Sequence, residues 1–169
     1  MEAKRLNLGC GNHPLEGFIN VDLNPKWADV VADIRDLSVF GTDSVDEIVA
    51  SHVIEHFYLW EVQDILIEWK RVLRPGGTLY VECPNIHNCA LMLLHGGFTD
   101  QMHMWGFFGD PSHKEPLMCH KWGYNPDTLA KELLTAGFVN PGTAKVSKSH
   151  WRDMRLVATK PENTGVKKV

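Results

Sequence analysis

Arg5-Leu6-Asn7-Leu8-Gly9-Cys10-Gly11 decides the reading of this chain: a short apolar run that breaks into two glycines one residue apart. Arg5–Leu8 reads as a strand. A glycine turn at a strand's end lets backbone come close to a ligand, because glycine has no Cβ to clash. The dinucleotide fingerprint would need a further glycine at position 14, where Pro14 stands, so a nicotinamide oxidoreductase is disfavoured. Taken alone, Gly9-Cys10-Gly11 is also what a simple tight turn requires.

Downstream of this turn the chain alternates strand and helix signals. Phe18–Asp22, Asp29–Asp33, Asp46–Ala50 and Thr78–Glu82 read as further strands. Between the last two, Val62, Ile65, Leu66, Trp69, Val72 and Leu73 fall on one face of a helix predicted from about Trp60 to Leu73. Arg74-Pro75-Gly76-Gly77 stops it. Asn125-Pro126 opens a second helix, with Asn as cap and Pro at the first helical position. That helix ends near Gly137, and Phe138–Val146 and Met154–Thr159 can close the fold as an antiparallel pair. Such alternation predicts an α/β fold with a mostly parallel sheet. The stretch 86–124 has no clean period and is rich in His, Met, Trp, Gly and Phe. It reads as a lid or acceptor-binding insertion.

Two acids end the early strands. Asp22 can accept from both ribose hydroxyls of an adenosine, or can cap the turn Asp22-Leu23-Asn24-Pro25. Asp33 can accept from an adenine amino group while the Ile34 N–H reads a ring nitrogen, or can cap its own strand end. Ligands of open α/β sheets bind at the carboxyl edge, where all of these residues fall.

Composition narrows the function. A chain of 169 residues with 44% hydrophobic content supports one full core. We read residues 1–160 as the domain and 161–169 as a flexible tail. A net charge of −4 argues against a long nucleic-acid footprint. Cys10, Cys83, Cys89 and Cys119 have no CxxC spacing and read as reduced thiols. No signal peptide is visible, and no stretch reaches the roughly 20 apolar residues of a membrane helix. These features predict a cytoplasmic protein with no membrane association.

Leu6–Gly11, Asn20–Asp22, Ala32–Leu37, Ser51–His56, Val72–Leu79 and Pro126–Phe138 together resemble the successive motifs of class I S-adenosylmethionine (SAM) dependent methyltransferases, in particular the small type 11 group. The resemblance spans nearly the whole chain. It implies a Rossmann-like three-layer sandwich with a seven-stranded sheet whose last strand is inserted antiparallel. It also implies SAM held by Gly9, Cys10, Gly11, Asp22, Leu23, Asp33, Ile34, Ser51 and His52. Two departures from the family pattern are Asn7, where an acid is usual, and residues 12–17, too few for the usual first helix. The family's frequent N-terminal covering helices have no counterpart here. The resemblance therefore implies a cofactor site left open or completed by a second subunit, as a homodimer would.

Ser51-His52-Val53-Ile54-Glu55-His56 follows the fourth predicted strand. A helix starting just after Ser51 would put His52, Glu55 and His56 on one face. With His120 they can hold a divalent metal ion, or Glu55 and His56 can simply begin a helix as in metal-free relatives. A similar Glu-x-x-Glu-His occurs in ubiquinone-pathway O-methyltransferases and in small-RNA 2′-O-methyltransferases. The latter add a later His-Lys-aromatic segment, like Cys119-His120-Lys121-Trp122 here. His52, His56 and His120 are the candidate catalytic side chains, because O-methylation needs a proton removed near neutral pH. His87, His95, His103 and His113 are further histidines of the insertion. Trp105, Phe107, Phe108, Trp122 and Tyr124 can wall an acceptor pocket or form the insertion's own small core.

The expected function is methyl transfer from SAM to a small soluble acceptor, such as a sugar hydroxyl. The alternatives are an RNA 2′-O-methyltransferase with a metal site and a SAM-binding partner subunit without turnover.

Overall fold

The computed structural model describes residues 3–96, 104–147 and 151–163. His103 and positions 164–169 of the expected tail lie outside them. Among the described residues, seven strands form one sheet in the order β3-β2-β1-β4-β5-β7-β6. They are β1 (Arg5–Leu8), β2 (Ile19–Asp22), β3 (Val30–Val31), β4 (Val45–Ser51), β5 (Leu73–Pro84), β6 (Val139–Ala144) and β7 (Asp153–Thr159). Strands β1 to β5 pair in parallel, and β7 runs antiparallel between β5 and β6.

The core follows from the pleat. Strand register places Leu6, Ile48, Leu79 and Ala158 in one row, and Leu8, Ala50, Val81 and Leu156 in a parallel one. All eight are essentially inaccessible to solvent. Side chains alternate across a sheet, so these rows share a face. Helix α1 (Leu59–Val72) contributes Val62, Ile65, Leu66 and Trp69 to the same core, and the later helix of Pro126–Thr135 contributes Leu129 and Leu133. The other face carries the polar or charged Asn7, Ser51, Tyr80, Glu82 and Arg155 beside Val49 and Val157.

Several boundaries differ from the sequence reading for identifiable reasons. Strand β5 begins at Leu73, before the predicted stop, because Leu73 pairs with Val45 ahead of a register shift. The Arg74–Gly77 turn is that irregularity, with Gly76 at φ 74°. The insertion is more regular than expected. It holds helices α2 (Ile86–Gly96) and α3 (Trp105–Phe108) and a 3₁₀ turn at Pro116–Met118. Asn85 Oδ1 accepts from the His87 N–H at 3.1 Å and so opens α2. Helix α4 (Pro126–Thr135) starts as predicted, with Asn125 Oδ1 accepting from Thr128 N–H at 2.8 Å.

The connection from β1 to β2 contains turns and no helix. Asn7 explains how so short a link is held. Its amide donates to Asn20 Oδ1 at 2.9 Å and to His13 O at 3.2 Å, and Asn20 Oδ1 also accepts from Leu15 N–H at 2.8 Å. A carboxylate at position 7 would be acceptor-only and would face two acceptors.

Candidate active site

The carboxyl edge of the sheet assembles the predicted residues. Gly9 N–H donates to Val21 O at 2.8 Å, which turns the chain over the end of β2. Gly9 has φ 64°, and a Cβ there would stand 2.6 Å from Val53 Cγ2. Only glycine satisfies both constraints. At Gly11, with φ 49°, a Cβ would meet nothing within 4 Å, so that arm of the turn opens onto free space.

Asp22 does turn chemistry: its carboxylate accepts from Gly11 N–H at 2.8 Å and from Asn24 N–H at 2.8 Å. A carboxylate has about four acceptor sites, so acceptor capacity remains for a ribose. Asp33 is gripped by Arg35, with Oδ2 2.7 Å from Nη2, and this hydrogen bond holds its carboxyl below the usual range. Trp69 Nε1 donates to Ile34 O at 2.8 Å, which ties the Asp33–Ile34 turn to α1. Leu23 is exposed beside Asp22. Cys10 is buried, and burial pushes its thiol up to about 11, so it is a packing residue.

The segment after β4 corrects one expectation. No helix starts at Ser51: His52 has φ 55°, Ile54–His56 form a 3₁₀ turn, and α1 begins only at Leu59. His52, Glu55 and His56 therefore do not share a helical face. Instead His52 Nδ1 lies 3.3 Å from Glu55 Oε1, while its Nε2 faces Asp153 Oδ2 at 3.6 Å and Glu82 Oε1 at 3.9 Å. Burial works against a charged His52, but these three acids outweigh it and raise its pKa. Ser51 Oγ sits 3.2 Å from Glu82 Oε1.

His120 arrives from the far end of the insertion. Main-chain bonds fasten this end over the 3₁₀ turn, with Lys121 N–H donating to Glu55 O at 2.8 Å and Trp122 N–H at 3.3 Å. Lys121 Nζ also donates to His56 O at 2.8 Å. Glu55, His56 and His120 each offer a ligand atom within 4.8 Å of the others, and His52 stands outside this set. Burial pushes the His56 pKa below the ordinary imidazole range. For Glu55, burial pushes the carboxyl up, but His52, His56 and His120 together hold it below the usual range.

A cavity of about 270 Å³ opens onto His52, His56, Trp105, His113, Met118 and His120, with Pro84, Asp110 and Arg152 completing its wall. The sequence reading missed Arg152 and its neighbour Asp153. Their signal was the antiparallel insertion of β7, which sets Asp153 against Pro84. Of the aromatics proposed as pocket walls, Trp105 lines the cavity, whereas Tyr124 is buried in the main core and Phe108 and Trp122 are exposed. Tyr58 and Trp60 stack at 4.3 Å on the outer side of the turn.

A sheet in this order, with a reversed β7 and a glycine turn after β1, matches the Rossmann-like α/β methyltransferase fold. A family model described as a methyltransferase domain matches residues 6–81. Over those residues the chain is similar to the type 11 methyltransferase domain, and this match together with the fold supports a SAM-dependent methyltransferase with SAM as its cofactor. Among solved structures, a SAM-dependent methyltransferase from Methanosarcina mazei is similar, with TM-score 0.68 at 18% identity over 96% of this chain and 94% of that one. A SAM-dependent methyltransferase from Archaeoglobus fulgidus is similar too, with TM-score 0.64 at 19% identity over 94% of this chain and 86% of that one. A methyltransferase from Haloferax volcanii, in a structure with the Trm112 activator, gives TM-score 0.61 at 14% identity, over 95% of this chain and 84% of that chain. At these identities the likeness is one of fold. No curated protein matches the chain in sequence. No helix among the described residues is long and apolar enough to cross a membrane.

Proposed function

We propose that the protein transfers the methyl group of SAM to a hydroxyl of a small soluble acceptor, a sugar or similar metabolite, bound in the cavity beside His56 and His120. The observation that carries this reading is the assembly of Glu55, His56 and His120 on the turn that Gly9 packs against through Val53. Acid–base side chains and the cofactor turn thus share one edge.

The glycine turn 9–11 takes the amino-acid part of SAM, Asp22 the ribose, and Asp33 with Ile34 the adenine. Leu23, Ser51 and His52 flank it. SAM supplies an electrophilic methyl group on a sulfonium. As the acceptor oxygen forms its bond to carbon, the carbon–sulfur bond breaks and its electron pair stays on sulfur as a thioether. The protein's tasks are alignment and removal of the hydroxyl proton. The cluster of His56 and His120 takes up the second task, either directly as a base or through a bound ion, and His52 orients the acceptor.

The cavity's size and the net charge of −4 favour a small acceptor over a polynucleotide. The insertion at 86–124 covers the acceptor and excludes water. All four thiols are free, and three are buried, which supports the cytoplasm as the place of work. The test is a SAM-turnover screen over metabolite pools with mass detection of product. Methylated metabolite supports the reading. Product formed only with RNA, or none with cofactor binding intact, overturns it.

A further inference from the structure

Three buried acids surround His52, and they are not treated alike. Glu82 accepts from Ser147 N–H at 2.7 Å and lies 3.8 Å from the Arg155 guanidinium. Asp153 is met by Arg152 Nε at 3.1 Å. Glu55 is 1% exposed, yet neither of its carboxylate oxygens has a hydrogen-bond partner among the described residues. The 3.3 Å approach of His52 Nδ1 is an ion-pair contact without hydrogen-bond geometry. A buried carboxylate left in this state is costly, and a cation would remove the cost.

The two imidazoles beside it are prepared to supply the other ligands. His56 Nδ1 faces Cys119 O at 3.4 Å, and His120 Nδ1 faces Gly106 O at 3.1 Å. A carbonyl only accepts, so each Nδ1 carries a proton, and in the neutral ring that makes Nε2 the ligand atom. Backbone carbonyls fixing the tautomer in this way are the usual outer partners of metal-bound histidines. The ring planes cross at 78° with centroids 5.0 Å apart. One ligand atom from each of the three residues lies within 4.8 Å of the others. A tetrahedral ion about 2.1 Å from each needs separations of roughly 3.4 Å, so binding draws the three ligand atoms together.

We propose that Glu55, His56 and His120 bind one divalent transition-metal ion, with its open positions facing the cavity. A set of one carboxylate and two imidazoles suits zinc, cobalt, manganese or iron; magnesium prefers oxygen ligands. The site's use rests on the methyltransferase reading: the ion would acidify an acceptor hydroxyl at an open position, so that its proton leaves through the mouth of the cavity. The binding itself does not depend on that reading.

The test uses untagged, chelator-stripped full-length protein titrated with cobalt(II) chloride and followed by visible absorption. Wild type is expected to take up one equivalent, which zinc displaces and magnesium does not. Glu55→Gln and His120→Ala are expected to weaken binding at least tenfold, and Asp22→Ala to leave it unchanged. Glu55→Gln is close to isosteric, so its metal-free form is expected to melt no lower than metal-free wild type. Zinc is expected to raise the melting temperature of wild type but not of this variant. No cobalt uptake by wild type, or equal uptake by Glu55→Gln, overturns the site. If uptake fails while SAM affinity and turnover are intact, only the metal site falls. If uptake succeeds and no acceptor is turned over, only the proposed function falls.

Discussion

The imidazole rings of His56 and His120 meet edge to face, with centroids 5.0 Å apart, although one follows β4 and the other ends the insertion. The contact exists because Lys121 and Trp122 donate their N–H groups to Glu55 O, closing the insertion onto the turn beneath it. His56→Ala and His120→Ala are each expected to lower kcat by on the order of 100-fold or more. Cofactor affinity, read by calorimetry with the demethylated product, stays as in wild type. Loss of cofactor affinity in parallel with kcat would place the pair in the cofactor site instead.

Asp22 holds the glycine turn and has acceptor capacity to spare. Asp22→Ala is expected to weaken SAM binding tenfold or more, since a lost charged hydrogen-bond pair amounts to about 1.5–3 kcal/mol. The melting temperature of the variant, recorded without cofactor, separates the ribose contact from the turn. Unchanged affinity would remove Asp22 from the ribose.

Gly9 tests the close approach. Gly9→Ala places a Cβ 2.6 Å from Val53 Cγ2 at φ 64°, and a cost of about 2–4 kcal/mol is expected from strain and overpacking. Adding Val53→Ala relieves the steric part and leaves the backbone part. Denaturant melts of the four proteins in the cycle measure the coupling.

Asn7→Asp would restore the acid usual in the family, and here it is expected to destabilise by about 1–3 kcal/mol. The donor to Asn20 Oδ1 and His13 O disappears from a site 4% exposed. The new carboxylate, facing acceptors, titrates above the ordinary range. The loss is therefore largest at neutral pH and shrinks in acid, as melting curves across pH would show.

Glu68 bridges α1 and the loop before β4: it accepts from Leu37 N–H at 2.9 Å and pairs with Arg71 at 2.7 Å. The Arg71 hydrogen bond holds its carboxyl below the ordinary range. A depressed folded pKa means stabilisation present above the unfolded value and lost as pH falls through the folded one. Glu68→Gln should therefore lower the melting temperature at neutral pH and match wild type in strong acid. A constant difference across pH would show that the contact is not electrostatic.

What the sequence determined by itself was the architecture, with the glycine turn and the acids at one sheet edge. Apolar periodicity and the glycine turn are local properties, so β1, α1, the Asn125 cap and the acids at strand ends could be read residue by residue. The regular part of the insertion was missed because α2 is apolar on most sides, which leaves no amphipathic stripe to recognise. The conformation of Ser51–His56 was missed for a different reason. His52 is held at φ 55° among Glu55, Glu82 and Asp153, and two of those acids come from distant strands. Only tertiary structure decided which histidines meet. His52 sits between Glu55 and the acids of β5 and β7, and His120 joins Glu55 and His56 because backbone bonds from Lys121 and Trp122 fix the insertion's end on that turn.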